Sequence, residues 1–227
     1  NSGNSRGKVG ADGYTRQDFK KDSYTYNTNT TAMGVLNYRM NTNHKFTFTS
    51  LFLNSSDQSH DEYNGFDIEF DNDVTKNENG VGFIQRNTFT ETKLLINQLS
   101  GEHDLSDRNT LSWIVGYNQM NNTIPDRMQN TAGADFRTNR STDFVLITGS
   151  PIYNHRFFQD LKEDELSINI SDEIKFNDTE DDLRGTLTFG YSGRFKMIDF
   201  SSQQYDFRLI NQAGLYNIDI ANFDAFF

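Results

Sequence analysis

Between Asp164 and Phe200 apolar residues fall on every second position, turn once, and run back. Leu166, Ile168, Ile170, Ile174 and Phe176 share one face of the first arm, with Ser167, Asn169, Ser171, Glu173 and Lys175 on the other. On the second arm Leu187, Phe189, Tyr191, Phe195 and Met197 alternate with Thr186, Thr188, Ser192, Arg194 and Lys196. A period of two is the signature of a strand with unlike faces, so this stretch predicts a β-hairpin with its turn at Asn177 to Asp182. Alternation over about fifteen residues is long for a globular sheet, whose strands usually run about five or six.

Two further hairpins follow from the same pattern. One covers about residues 23–55, with Phe46, Phe48 and Phe52 on one face after a turn at Asn41 to His44. The other covers about 87–120, with Leu111, Trp113, Val115 and Tyr117 on one face; its first arm is irregular because Leu94, Leu95 and Ile96 are consecutive. Residues 1–22 have no period and read as a loop. The polar segments at about 56–86, 121–163 and 201–227 read as long exposed loops. Connections thus alternate short and long, as they do around an outer-membrane barrel. The expected fold is all-β: about six strands of a larger antiparallel transmembrane barrel. Phe46, Phe48, Phe52, Trp113, Tyr117, Leu166, Ile168, Ile170, Leu187, Phe189, Tyr191 and Phe195 are the expected lipid-facing residues. For Phe46, Phe48, Phe52, Trp113 and Tyr117 the rival reading is half of a sandwich core.

Composition sharpens that choice. Mean hydropathy is -0.74, yet aromatics reach 14%, a mixture that disfavours disorder and suits a wall apolar on one face only. The net charge of -11 argues against nucleic acid as a partner. With no cysteine there is no disulfide or thiolate site, and two prolines suit long strands. No apolar run approaches the roughly 18 residues of a membrane helix. No signal peptide is evident and the chain opens on Asn1, so a processed or partial chain is expected.

Asn37-Tyr38-Arg39-Met40-Asn41-Thr42-Asn43-His44-Lys45, Leu51 to Ser56 and Glu62-Tyr63-Asn64-Gly65 resemble the barrel of Bacteroidetes-type TonB-dependent receptors. So do Asn97-Gln98-Leu99, Gly101-Glu102-His103, Leu111-Ser112-Trp113, Tyr117-Asn118 and the run Pro125-Asp126-Arg127-Met128-Gln129-Asn130-Thr131. The resemblance covers about residues 38–131. It implies a 22-stranded outer-membrane barrel, filled by a plug, that imports a scarce nutrient with energy supplied through TonB, and it makes the polar segments 56–86 and 121–163 extracellular, ligand-facing candidates. Membrane lipid and the TonB system are the implied partners, with room for a surface lipoprotein. No enzymatic activity, cofactor or metal is expected, and the plug is absent from this sequence. The alternative is a soluble or surface β-rich adhesion module.

Other candidates carry less. Asp172 interrupts an apolar face, and a β-bulge turning it inward is expected. Asp67, Glu69, Asp71 and Asp73 have no EF-hand spacing and read as a solvated acidic loop. His44, His60, His103 and His155 are scattered. Gly190-Tyr191-Ser192-Gly193 lacks the final glycine of a nucleophile elbow and lies within a strand.

Overall fold

The computed structural model describes residues 2–67, 81–134, 144–147, 150, 152–179 and 182–207. They form β1 (Ser2–Val9), β2 (Thr15–Arg39), β3 (His44–Asp67), β4 (Val81–Ser106), β5 (Asn109–Ala134), β6 (Phe144–Leu146), β7 (His155–Thr179) and β8 (Asp182–Asp206). One antiparallel sheet runs β1-β2-β3-β4-β5-β7-β8, with β6 paired to the top of β5. It is a half-barrel. The five main strands from β3 to β8 are 24 to 26 residues long, about 80 to 90 Å at roughly 3.4 Å per residue.

The strands overrun the expected loops. Residues 56–67 and 81–86 belong to β3 and β4, 121–134 and 155–163 to β5 and β7, and 201–206 to β8. The remainder of those segments lies outside the described residues, apart from β6 and a short stretch around 147–154. Residues 1–22 also depart from the expected loop. Their described part forms β1 and the start of β2 around a turn in which Gly13 has φ 81° and the Gly10 N–H donates to the Tyr14 carbonyl at 2.8 Å. The reason is the same in each case. A ladder needs only backbone groups, whereas the alternation exists only where the two faces meet different surroundings. Here polar residues dominate both faces of the upper strands, apart from a small cluster around Phe19 and Ile84.

Two irregularities have local causes. Pro125 sits within central strand β5, where it lacks a ladder donor. The register slips there against both neighbours, between Phe89 and Glu91 on β4 and between Ile124 and Arg127 on the β7 side. A bulge therefore takes up the proline. The bulge expected at Asp172 does not exist: pairing runs unbroken through Leu111↔Asp172 and Asp172↔Phe189. Asp172 stays on the apolar face, near the turns.

Candidate functional site

Register fixes the two faces. The rows Phe46, Gly101, Trp113, Ile170, Tyr191 and Phe48, Leu99, Val115, Ile168, Gly193 cross the sheet on one side. Above them comes Ser50, Asn97, Tyr117, Leu166, Phe195. All twelve residues singled out by periodicity share this face. The two polar members of these rows satisfy each other, Ser50 Oγ donating to Asn97 Oδ1 at 2.9 Å. Leu94 and Ile96 point to the opposite face while Leu95 stays with the apolar rows, which explains the untidy triplet.

The apolar belt has polar borders. At the turn end His103 pairs with His44, their Nδ1 atoms 3.1 Å apart, and Trp113 Nε1 donates to His103 Nε2 at 2.9 Å. Phe46 meets Trp113 edge-on across Gly101, and a Cβ on Gly101 would enter the Trp113 ring. At the other end the Tyr117 hydroxyl and Gln119 Nε2 donate to Asp164 at 2.9 and 3.0 Å. From Asp164 to Asp172 is eight residues, about 27 Å along the strand. Rings with polar tips at both ends are what an apolar-to-water boundary favours.

On the opposite face, about 30 Å further up, one row of polar residues crosses six strands: Ser23, Asp61, Arg86, Gln129, His155 and Asp206. Its members Arg86, Gln129 and His155 line a cavity of about 830 Å³. Lys8 and Arg16 from one end of the sheet and Gln204 from the other line the same cavity. The sheet is therefore concave on this side, and the belt lies on the convex side. A strap closes part of the cavity. Gln129 Nε2 donates to the Ile152 carbonyl at 2.7 Å, Thr131 Oγ1 to the Tyr153 carbonyl at 2.7 Å, and the Thr131 N–H to Asn154 Oδ1 at 2.9 Å. Phe19 and Ile84 pack with Tyr63, Ile147 and Tyr153 beneath it.

The charges in the cavity are arranged unevenly. Asp61 is 8% exposed and receives Lys21 Nζ at 2.8 Å and Ser23 Oγ at 2.6 Å. Burial alone would raise its pKa, but those two hydrogen bonds outweigh it and hold the carboxyl below its ordinary value; the bond to Asp61 raises Lys21. Arg86 gives Nε and Nη2 to Gln129 Oε1 at 3.0 and 2.6 Å and lies over the Tyr63 ring. Arg127 lies 4.4 Å from the Phe157 ring centroid, and its Nη2 is 3.5 Å from His155 Nε2. Neither guanidinium has a carboxylate within 4.0 Å among the described residues. His155 is 6% exposed and its Nδ1 makes no hydrogen bond. Burial first, then Arg127 and Arg86, push His155 below its ordinary pKa; Asp206 and the nearby Ile152 carbonyl, which is outside bonding geometry, oppose this more weakly.

Periodicity found the belt and missed the cavity. Arg127 and Gln129 lie in the Pro125 to Thr131 run already singled out, but Arg86 and His155 fell in segments read as loops. His155 and the pair His44 and His103 lie at opposite ends of the strands. Of the acidic run, Asp67 ends β3 and accepts from Gln17 at 2.6 Å; Glu69, Asp71 and Asp73 lie outside the described residues. Among the described residues no group of His, Asp and Glu could hold a metal ion. Ser192 lies within β8, not at a strand-to-helix turn. The class defined by fold and site is an all-β antiparallel half-barrel with a polar cavity on its concave side. The chain matches no protein-family model and no curated protein.

Proposed function

We propose that this chain forms part of the wall of an outer-membrane barrel receptor of the TonB-dependent kind, importing a scarce nutrient without enzymatic activity. The observation that carries the reading is which face is apolar. On the convex side Phe48, Tyr117, Leu166, Ile170, Leu187, Phe189, Tyr191 and Phe195 are all exposed, whereas the concave side at the same height carries Thr49, Gln98, Ser167 and Arg194. A soluble sheet buries its apolar face inward; a barrel in lipid turns it outward. From Asp164 to Ile174, the partner of Leu187, the belt runs about 34 Å along the strand, which at a strand tilt of about 40° stands about 26 Å high, comparable to the apolar band of about 25 Å in such barrels.

Two further features support a larger wall. Among the described residues β8 has a neighbour on one side only, and an unpaired edge in lipid costs several kcal/mol for each open backbone group. More strands would close it, 22 in all if the family resemblance holds. On the concave side Leu51, Leu53, Leu94, Ile96 and Met120 form an apolar stripe, which a plug inside the lumen would cover. Energy would then arrive through TonB, and the strand tops beyond the belt would face outside the cell. Membrane lipid is the required partner, with a surface lipoprotein as a further candidate.

Fractionation tests this. The native chain should stay with the membrane pellet through a carbonate wash and need detergent for release, at a denatured mass several times 26.2 kDa. Release without detergent as a monodisperse protein would reject the receptor and leave the soluble adhesion module.

A further inference from the structure

The cavity deepens the receptor reading, on which it rests for the idea that this side faces a ligand. We propose that it binds a diffusible solute carrying a carboxylate, gripped between the Arg86 and Arg127 guanidiniums with His155 beside them.

Charge balance is the first ground. Among the described residues Lys8, Arg16, Arg86 and Arg127 line the cavity against a single carboxylate, Asp67, in a chain whose net charge is -11. The nearby acids are already engaged: Asp61 with Lys21 and Ser23, Asp67 with Gln17, and Asp12 with Arg16. Asp61 is near enough to Arg86 to feel its charge but spends its hydrogen bonds on Lys21 and Ser23; a half-buried guanidinium with no anion in contact is costly, and two of them close enough to repel each other are costlier. Arg127 already feels Arg86 in this way.

Preorganisation is the second. Gln129 and the Tyr63 ring fix the plane of Arg86, and the Phe157 ring fixes that of Arg127. Each keeps donors unspent; Arg127 Nε is buried with no partner at all. Planar forks held this way suit the two oxygens of a carboxylate. His155 adds a buried, unbonded Nδ1 at the wall of the same cavity. About 830 Å³ is also ample for a small organic acid.

The test is isothermal titration of the full chain in detergent with citrate, and with galactose as a neutral probe, at constant ionic strength. Citrate should bind and galactose should not. Arg86→Gln and Arg127→Gln should each weaken citrate binding roughly tenfold or more, and Arg127→Lys, which keeps charge but loses the fork, should fall between. Lys45→Gln removes the same charge at the turn end, where Lys45 pairs with Glu102, and should change nothing. Thermal melts establish that each variant is folded, and Arg127→Lys serves if a neutral variant is not. No binding of citrate by the wild-type chain overturns the proposal. So does equal binding by the Arg127 variants, or equal loss in Lys45→Gln. A chain that needs no detergent would sink the receptor yet leave this titration able to judge the cavity.

Discussion

The lower and upper halves of the same strands are built on opposite principles. Below, the sheet is one layer, apolar on its convex side, with few hydrogen bonds between side chains inside the belt. Above, a strap lies on the concave side and the side chains are tied by ion pairs and hydrogen bonds around a cavity. One backbone ladder serves both. What differs is how the side chains are placed: in the lower half the apolar rings stand exposed on the convex side, while in the upper half the polar groups are tied to one another within the protein.

The sharpest way to break that comparison uses two adjacent residues. Ile168 lies in the belt and Asn169 on the concave face, where its Nδ2 is 3.3 Å from Ser192 Oγ. If lipid covers the convex side, Ile168→Arg should cost about 2 to 4 kcal/mol in a bilayer or micelle, while Asn169→Arg should stay within about 0.5 kcal/mol. Urea unfolding in liposomes measures both. Equal costs would abolish the distinction between the faces.

Next in size is the aromatic border. Gly101→Ala should cost about 1 to 3 kcal/mol, because the methyl group displaces the Trp113 ring that lies over β4. Gly34→Ala, on the same face but with nothing within 4 Å, should be close to neutral. Trp113 is the sole tryptophan, so its fluorescence during unfolding reports the change directly.

The two halves were unequally legible in the sequence, for a physical reason. Phe46, Trp113 and Ile168 announce themselves because each is flanked by polar residues, and the contrast between environments writes a period of two. Above the belt no such contrast exists. Asp61, Arg86, Gln129 and His155 form a row only through the register of three strand pairs, and most of their neighbours in sequence are polar too. Reading them as loops was the expected consequence. Asp172 erred the other way: an interrupted pattern implied a bulge, while the strand simply carries a carboxylate on its apolar face close to the turns, with the pairing unbroken on both sides.

Third comes the ion pair of the upper half. Asp61→Asn should cost about 1 to 3 kcal/mol by leaving Lys21 without its charge partner in a half-buried site. Because the carboxyl is held below its ordinary range, the folded state binds this proton less readily than the unfolded one. Its contribution is therefore complete above about pH 4 and lost as pH falls through the folded value. Chemical denaturation should find a smaller acid loss in Asp61→Asn than in the native sequence.

The smallest effect belongs to His155, and its sign separates it from Asp61 by pH window alone. The groups facing its ring are Arg127 from β5, Arg86 from β4 and Asp206 from β8, with burial the largest influence, and their net effect disfavours the imidazolium. The unfolded chain, with an ordinary histidine near pH 6.5, takes up the proton first. Stability should be full above about pH 6.5 and decline as pH drops below it toward the folded value. In His155→Gln that decline should vanish between pH 7.5 and 5, while His44→Gln, at the exposed turn end, should leave it in place. A decline that survives in His155→Gln would mean that the cavity does not hold its histidine against the proton, and the upper half would lose its claim to an electrostatics of its own.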